Sequence, residues 1–285
     1  MSAPAKSLTG YFTASILAPA LKDDITSMEH PIFALKAGDK RVRTYEHNGL
    51  SITVKPGNDG CATIYDKDLW IYCISHLVEA MNRGREDVGR IIQMTAYDFL
   101  VTTNRRTDGD SYKRLGASLA RLSGTRIETN IATDKLRERA GFGLVDSWRI
   151  IERDGDGRMM AIEIMLPEWL WRSVKAKHVL TLNRDYFQLR KPLDRRIYEL
   201  ARKHCGAQSK WRVNLALLHK KSGSTDTLRK FRASIKSLTN ANKLPDYRVA
   251  FDLTNDRVTF YARAPKGTKA QITDIMAEIS KRKRP

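Results

Sequence analysis

Cysteine is scarce in this chain of 285 residues, with only Cys61, Cys73 and Cys205. These are too few and too widely separated for a disulfide framework or a zinc cluster. Cys73 falls on an apolar helix face and Cys205 at a helix end, so both read as small core residues. A reducing, cytoplasmic location is expected. The six histidines, at 30, 47, 76, 178, 204 and 219, form no His-x-His or His-x-x-x-His pair. Neither a metal site nor a histidine-centred triad is predicted. No G-x-x-x-x-G-K-[ST] phosphate loop occurs, and the fragment Gly267-Thr268-Lys269 has no strand before it. Asp154 and Asp156 alternate with glycines in a turn too short for a calcium loop. No apolar run of about 18 residues exists, so no membrane span is expected. The first residues lack the charged and apolar regions of a signal peptide. A tyrosine nucleophile for DNA nicking would need a metal-binding histidine cluster, which is missing. The expectation is a non-enzyme with no cofactor and no metal.

Acidic residues are also in short supply. Lys and Arg number 51 against 32 Asp and Glu, a formal net charge of +19. Such an excess describes partners rather than fold, and a polyanion is the simplest partner. The charge is concentrated. Between Arg172 and Lys243 there are 19 basic and 4 acidic side chains, a net of 15 out of 19. At roughly 100–200 residues per domain, the length suggests two domains.

The pattern of elements is α+β and repeats. In the first half, 63–82 reads as a long helix with a broad apolar face, capped by Asp66 or Asp68. Ile91 to Met94 reads as a short strand, and Thr95 caps a helix over 96–101. Asp110 or Ser111 caps the next helix, with Tyr112, Leu115, Leu119 and Leu122 inward and Lys113, Arg114 and Arg121 off that face. Strands at 142–153 and 158–166 flank the turn at 154–157. An earlier hairpin is signalled by His47-Asn48-Gly49. In the second half, Pro192 opens a helix that Gly206 ends. A strand at Trp211 to Val213 leads to Asn214, the cap of a short helix. Leu228, Phe231, Ile235 and Leu238 then mark a buried stripe of a basic helix, capped by Ser224 or Thr225. Two alternating strands, 247–253 and 257–263, follow. Helix, strand, helix, turn, helix and hairpin is the order of a winged helix-turn-helix. It occurs twice, so the expected fold is two tandem winged helices.

The basic helix is the candidate duplex-DNA reader. A recognition helix presents donors from its N-terminal half to base edges, with phosphate contacts around it. Thr225, Arg229 and Lys230 are expected to face outward there, with Arg229 or Lys230 bonding a guanine edge. Lys220, Lys221, Ser222 and Ser224 stand at the mouth of the helix, where hydroxyls and amides suit phosphate. Arg232 and Lys236 are expected on the backbone, and Arg257 at the wing. Arg195 and Arg196 extend the surface toward the preceding helix, and Lys113 and Arg114 form the equivalent patch of the first unit. Trp169, Trp171 and Trp211 read as core packing rather than base-stacking platforms.

The residues 194–206 (DRRIYELARKHCG), with Trp211, Lys221-Ser222-Gly223-Ser224, Leu228-Arg229-x-Phe231-Arg232 and 242–247 (NKLPDY), resemble the plasmid replication initiator protein A family of bacteria. The resemblance runs from about His30 to Ala264. It implies that the C-terminal winged helix binds repeated origin sequences (iterons), and that the N-terminal one supports a homodimer and further DNA contact. It also implies melting of an adjacent AT-rich region and recruitment of a host initiator and replicative helicase, without nucleotide hydrolysis. A winged-helix transcriptional repressor is the alternative, and an enzyme acting on DNA the third reading. The expected divisions are a flexible arm over 1–29, a first winged domain over 30–176, a second over 177–264 and a basic tail over 265–285. Within that tail, Ile272, Ile275, Met276 and Ile279 read as a short amphipathic helix.

Overall fold

The computed structural model describes residues 11–282 apart from 48–49, 131, 134–135, 138–139, 156 and 158. The chain opens with β1 (Phe12–Thr13), β2 (Lys22–Asp24) and α1 (Ile25–Glu29). It continues through β3 (Arg43–His47), β4 (Leu50–Lys55), α2 (Asp68–Asn82), β5 (Ile91–Met94), α3 (Ala96–Thr102) and α4 (Gly109–Gly124). Then come β6 (Arg126–Thr129), β7 (Ala132–Thr133), β8 (Leu136–Arg137), β9 (Ala140–Gly143), β10 (Ser147–Glu152), β11 (Met159–Met165), α5 (Glu168–Lys175) and β12 (Val179–Thr181). After a 3-10 turn at Arg184–Gln188 follow α6 (Pro192–Cys205), β13 (Lys210–Asn214), α7 (Leu215–Ser222), α8 (Leu228–Ala241), β14 (Tyr247–Asp252), β15 (Arg257–Ala262) and α9 (Pro265–Arg282). The class is α+β, as the pattern predicts.

The chain divides into two units. The first holds Met1–Asp24 and Ile32–Thr181, the second Ile25–Pro31 and Leu182–Pro285. This corrects the expectation of a flexible arm over 1–29. Residues 1–10 lie outside the described residues, but those after them are built in. Phe12 of β1 pairs in parallel with Ile92 of β5 and is fully buried, and β2 pairs antiparallel with β12. α1 belongs to the second unit and lies against α6.

In the first unit, α2 is the central helix. Trp70, Ile71, Cys73, Ile74 and Leu77 are all fully buried, as a helix apolar on most of its circumference requires. α3 starts at Thr95, whose side chain accepts from the Asp98 amide, as expected. Asp108, not Asp110 or Ser111, caps α4. One sheet runs β1-β5-β11-β10 and a second runs β3-β4-β6-β9. The single strand expected over 142–153 is therefore two strands in different sheets. The break falls at Leu144 and Val145, both buried, where Trp70 Nε1 donates to the Leu144 carbonyl at 2.8 Å. Gly143 permits it, since a Cβ there would stand 2.8 Å from the Val145 carbonyl oxygen. β3 and β4 pair from Arg43↔Val54 to His47↔Leu50, while the turn residues Asn48 and Gly49 lie outside the described residues. So do Asp156 of the 154–157 turn and Lys283 and Arg284 of the basic tail.

Two buried ionic contacts hold this unit. Lys67 Nζ meets Asp23 Oδ2 at 2.7 Å with both side chains wholly buried. Asp66 accepts from Ser118, from Arg121 and from the amide and hydroxyl of Thr63. In the second unit, β13-β15-β14 form an antiparallel sheet. α6 precedes it, and α7 and α8 are inserted between β13 and β14. Phe231 and Ile235 of α8 are fully buried, each contributing about 1.5–3 kcal/mol by leaving water.

Lys67→Met should lower stability by about 3–5 kcal/mol, because it takes the Lys67 cation away from a wholly buried carboxylate. The double change Lys67→Met with Asp23→Asn should recover a large part of the loss. Urea unfolding of the full chain measures both. A single variant that unfolds like wild type would sink the assignment.

Candidate nucleic-acid interface

α8 is fixed on three sides. At its start, Thr227 is the cap, with its side-chain oxygen accepting from the Lys230 amide. Ser224 and Thr225, the expected caps, lie in the turn instead. Gly223 ends α7 in the left-handed region at φ +69°, which a side chain would resist. At its end, Asn242 takes a left-handed cap and Arg263 donates to the Asn242 and Leu244 carbonyls. At its flank, Arg232 forms an ion pair with Asp256, the last residue of the β14–β15 turn. The Asp256 carbonyl accepts from the Leu215 amide at 2.8 Å, so one residue joins the hairpin tip to α7 and α8.

The buried side of α8 carries Phe231, Ile235 and Leu238. Leu228, predicted to complete that stripe, is 37% exposed. It is the first residue of the helix, and its side chain points back past the end of the buried stripe. The outer side carries Arg229, Lys230, Ala233, Lys236 and Asn240, all exposed. Arg229, Lys230 and Lys236 have no acidic partner among the described residues. Lys220, Thr225 and Arg257 are exposed in the same unit. In the first unit Lys113 is exposed, and Arg114 makes only a loose pair with Asp110 at 3.8 Å, both highly exposed.

Several predicted contact residues are spent inside the fold. Arg195 is 3% exposed and donates to the Leu189 and Phe187 carbonyls. Arg196 is 2% exposed. Its Nη1 donates to the Ser27 and Met28 carbonyls and to Glu199, and its Nη2 to the Glu29 and Lys221 carbonyls. Neither can reach DNA, so the surface does not extend back onto α6. Ser222 is fully buried, donating to the His219 carbonyl and accepting from the Ser224 amide. Lys221 is paired with Glu29. Arg232 is half-buried in its pair with Asp256.

Glu29 was not predicted, and it gathers the charge around α1. Lys203 stands at 2.5 Å, His204 Nε2 at 3.1 Å, and Lys221 closes the cluster. Burial pushes its carboxyl up, but the close contacts with His204, Lys203 and Lys221 outweigh burial and hold it far below the usual carboxylate range. The neighbouring His30 is pushed down to about 4, chiefly by burial, against the pull of Glu29. No local sequence signal marks Glu29, because its partners lie far along the chain.

Among the described residues no helix is long and apolar enough to cross a membrane. With this geometry in place, comparison with known proteins decides the family. The model of "Replication initiator protein A" matches residues 22–249. The chain belongs to that family. A protein of Wigglesworthia glossinidia brevipalpis, provisionally named a replication protein, is 44% identical over 261 residues, covering 90% of this chain and 95% of the relative. Two crystal structures of domains 2 and 3 of RctB share the fold. The selenomethionine form has a TM-score of 0.58 at 10% identity, covering 84% of this chain and 98% of its own. The other has a TM-score of 0.56 at 9% identity, covering 86% and 99%. The match to the replication initiator family starts in β2 and includes α1, so the packing of α1 on α6 lies within the matched span. α9 lies beyond it.

Arg196→Ala should destabilise the protein by about 3–5 kcal/mol, since it leaves Glu199 buried without its cation. A drop in thermal midpoint checks this, and a fully stable variant with weakened DNA binding would restore the original assignment. Stability should also fall with pH. His30 stays neutral when folded, so its contribution is complete above the unfolded value near 6.5 and is lost as pH falls toward 4. Glu29, with a depressed folded value, adds a loss that begins near the unfolded carboxylate range and continues below it. Urea midpoints from pH 7 to 4 should therefore decline, and less steeply in His30→Gln.

Proposed function

We propose that this member of the replication initiator family binds repeated sites in duplex origin DNA through α8, and that binding promotes origin opening. The observation that carries the reading is the outer side of α8. Arg229 and Lys230 stand exposed in its N-terminal half without acidic partners, on a helix anchored by Thr227, Asp256 and Arg263. A rigid helix with free donors at its leading end suits the major groove. Arg229 or Lys230 is the candidate for a guanine edge, and Lys220, Lys236 and Arg257 for phosphates. Thr225 lies at the mouth of the helix. The second unit runs helix, strand, helix, turn, helix and hairpin, the first runs the same way with β6 to β9 inserted before the β10–β11 hairpin, and we read the pair as tandem winged helices. The first unit then supplies dimerisation and added DNA contact through Lys113 and Arg114. By family resemblance, a host initiator and replicative helicase are the later partners. Opening follows from binding adjacent sites, where bending costs of order 1–6 kcal/mol per site and flexible steps lower it. The chain acts by binding rather than by catalysis, in the cytoplasm on plasmid or nucleoid DNA.

Footprinting the DNA that flanks its own gene tests this. Protected repeats at helical-turn spacing support initiation, and a lone short palindrome supports the repressor reading. Replacing Arg229 and Lys230 by Ala should remove specific protection, at about 1–3 kcal/mol per lost base contact, with an unchanged circular dichroism spectrum. A retained footprint would reject α8 as the reading helix. If Lys113→Ala with Arg114→Ala abolishes it instead, the roles of the two units are reversed.

A further inference from the structure

The last helix of the second unit is turned inside out. α9 lies against the sheet, on the face that carries Lys210, Arg212, Arg248 and Tyr261. It presents its polar side to that face. Asp274 accepts from Lys210 at 2.7 Å, from Arg212 at 3.0 Å and from the Tyr261 hydroxyl at 2.8 Å. Arg248 donates to Gln271 at 2.8 Å and to Thr268 at 2.7 Å. Thr268, Gln271 and Asp274 are three residues apart and share one face of the helix. Ile272, Ile275, Met276 and Ile279 are left outward, between 44% and 60% exposed. A surface helix ordinarily has the reverse arrangement. Rolling α9 to bury the isoleucines would break every one of those polar contacts.

The spacing of the four exposed side chains is i, i+3, i+4 and i+7, the pattern by which one helix docks on another. Basic residues precede and follow the stripe in the sequence. Lys266 and Lys269 stand exposed at one end, and the sequence Lys281-Arg282-Lys283-Arg284 follows the other. A second copy of this chain is poorly suited to cover the stripe. Parallel pairing of two such helices sets Lys266 and Lys269 of one copy beside the same residues of the other. Like charges so placed are repulsive. We propose that the stripe is a docking face for an amphipathic helix of another protein, one whose apolar side is bordered by aspartate and glutamate. The opposite face of the sheet carries Trp211, on which His204 of α6 stacks with ring centroids 4.6 Å apart. A partner on α9 is therefore separated by the sheet from the α6 side. This inference stands on the second unit's geometry and does not require DNA binding.

The test uses the full chain and a fluorescent synthetic helix with leucines at the same spacing and glutamate borders. A companion helix carries lysine borders, and vesicles of phosphatidylglycerol are the third probe. The acidic helix should bind. The variant Ile275→Glu with Met276→Glu should weaken it by at least about tenfold. Its circular dichroism spectrum and its duplex DNA binding should match wild type, because both positions already face water. The proposal is overturned by failure of the acidic helix to bind, by equal binding to the variant, or by equal binding of the lysine-bordered helix. Vesicle binding that the variant abolishes would instead make the stripe a membrane face. A dimer in sedimentation that the variant dissolves would make it a self-association face. If DNA binding were absent in wild type while the acidic helix bound, the origin-binding reading would fail and the docking face would stand.

Discussion

A guanidinium does not give up its proton in a protein, so a buried arginine must find acceptors for its donors. The two Nη groups of Arg196 find them in the carbonyls of Ser27, Met28, Glu29 and Lys221 and in the carboxylate of Glu199. That one fork ties α1 to α6 and to the end of α7. The turn at Gly223 and the start of α8 follow within a few residues, so the placement of α8 descends from this contact. Glu29 adds a second tie through Lys203 and Lys221. The second unit is thus closed by a strap that enters from the N-terminal part of the chain.

The remaining constraint is the sheet β13-β15-β14. Its apolar face holds Trp211 and Phe260, stacked at 5.2 Å. Its other face is covered by a helix held through charge rather than through burial of its apolar residues. Asp256 at the hairpin turn links the sheet to α8 through Arg232 and to α7 through its own carbonyl. The polar contacts of this unit therefore position its helices, and the hydrophobic contacts supply most of the stabilisation.

Much of this was legible from spacing. The stripe Phe231, Ile235 and Leu238, the cap at Asn214, the long helix α2 and the hairpin of β14 with β15 all follow from local periodicity and local hydrogen bonding. What failed was non-local. Arg195 and Arg196 carry the same charge as Arg229 and Lys230, and composition cannot say which cations are consumed by distant carbonyls. Ser222 looked like a phosphate ligand because its neighbours are lysines, yet its hydroxyl closes the end of its own helix. The stretch over 11–29 has Phe12, Ile16, Leu21 and Met28 at irregular intervals, each buried. An extended segment threading between partners leaves no period to detect. Thr227 and Asp108 beat the expected caps because a cap must precede its helix by one place, and pattern alone places helix ends only to within a few residues.

The strap also sets an order in time. Ser27 and Arg196 are separated by 169 residues. At roughly 5–20 residues per second of synthesis, α1 waits about ten to thirty seconds for the helix that receives it. During that interval Met28 has no core to enter and Glu29 no cations to meet. The second unit can close only when α6 and α7 have emerged, so the N-terminal strap is among the first parts made and among the last to settle.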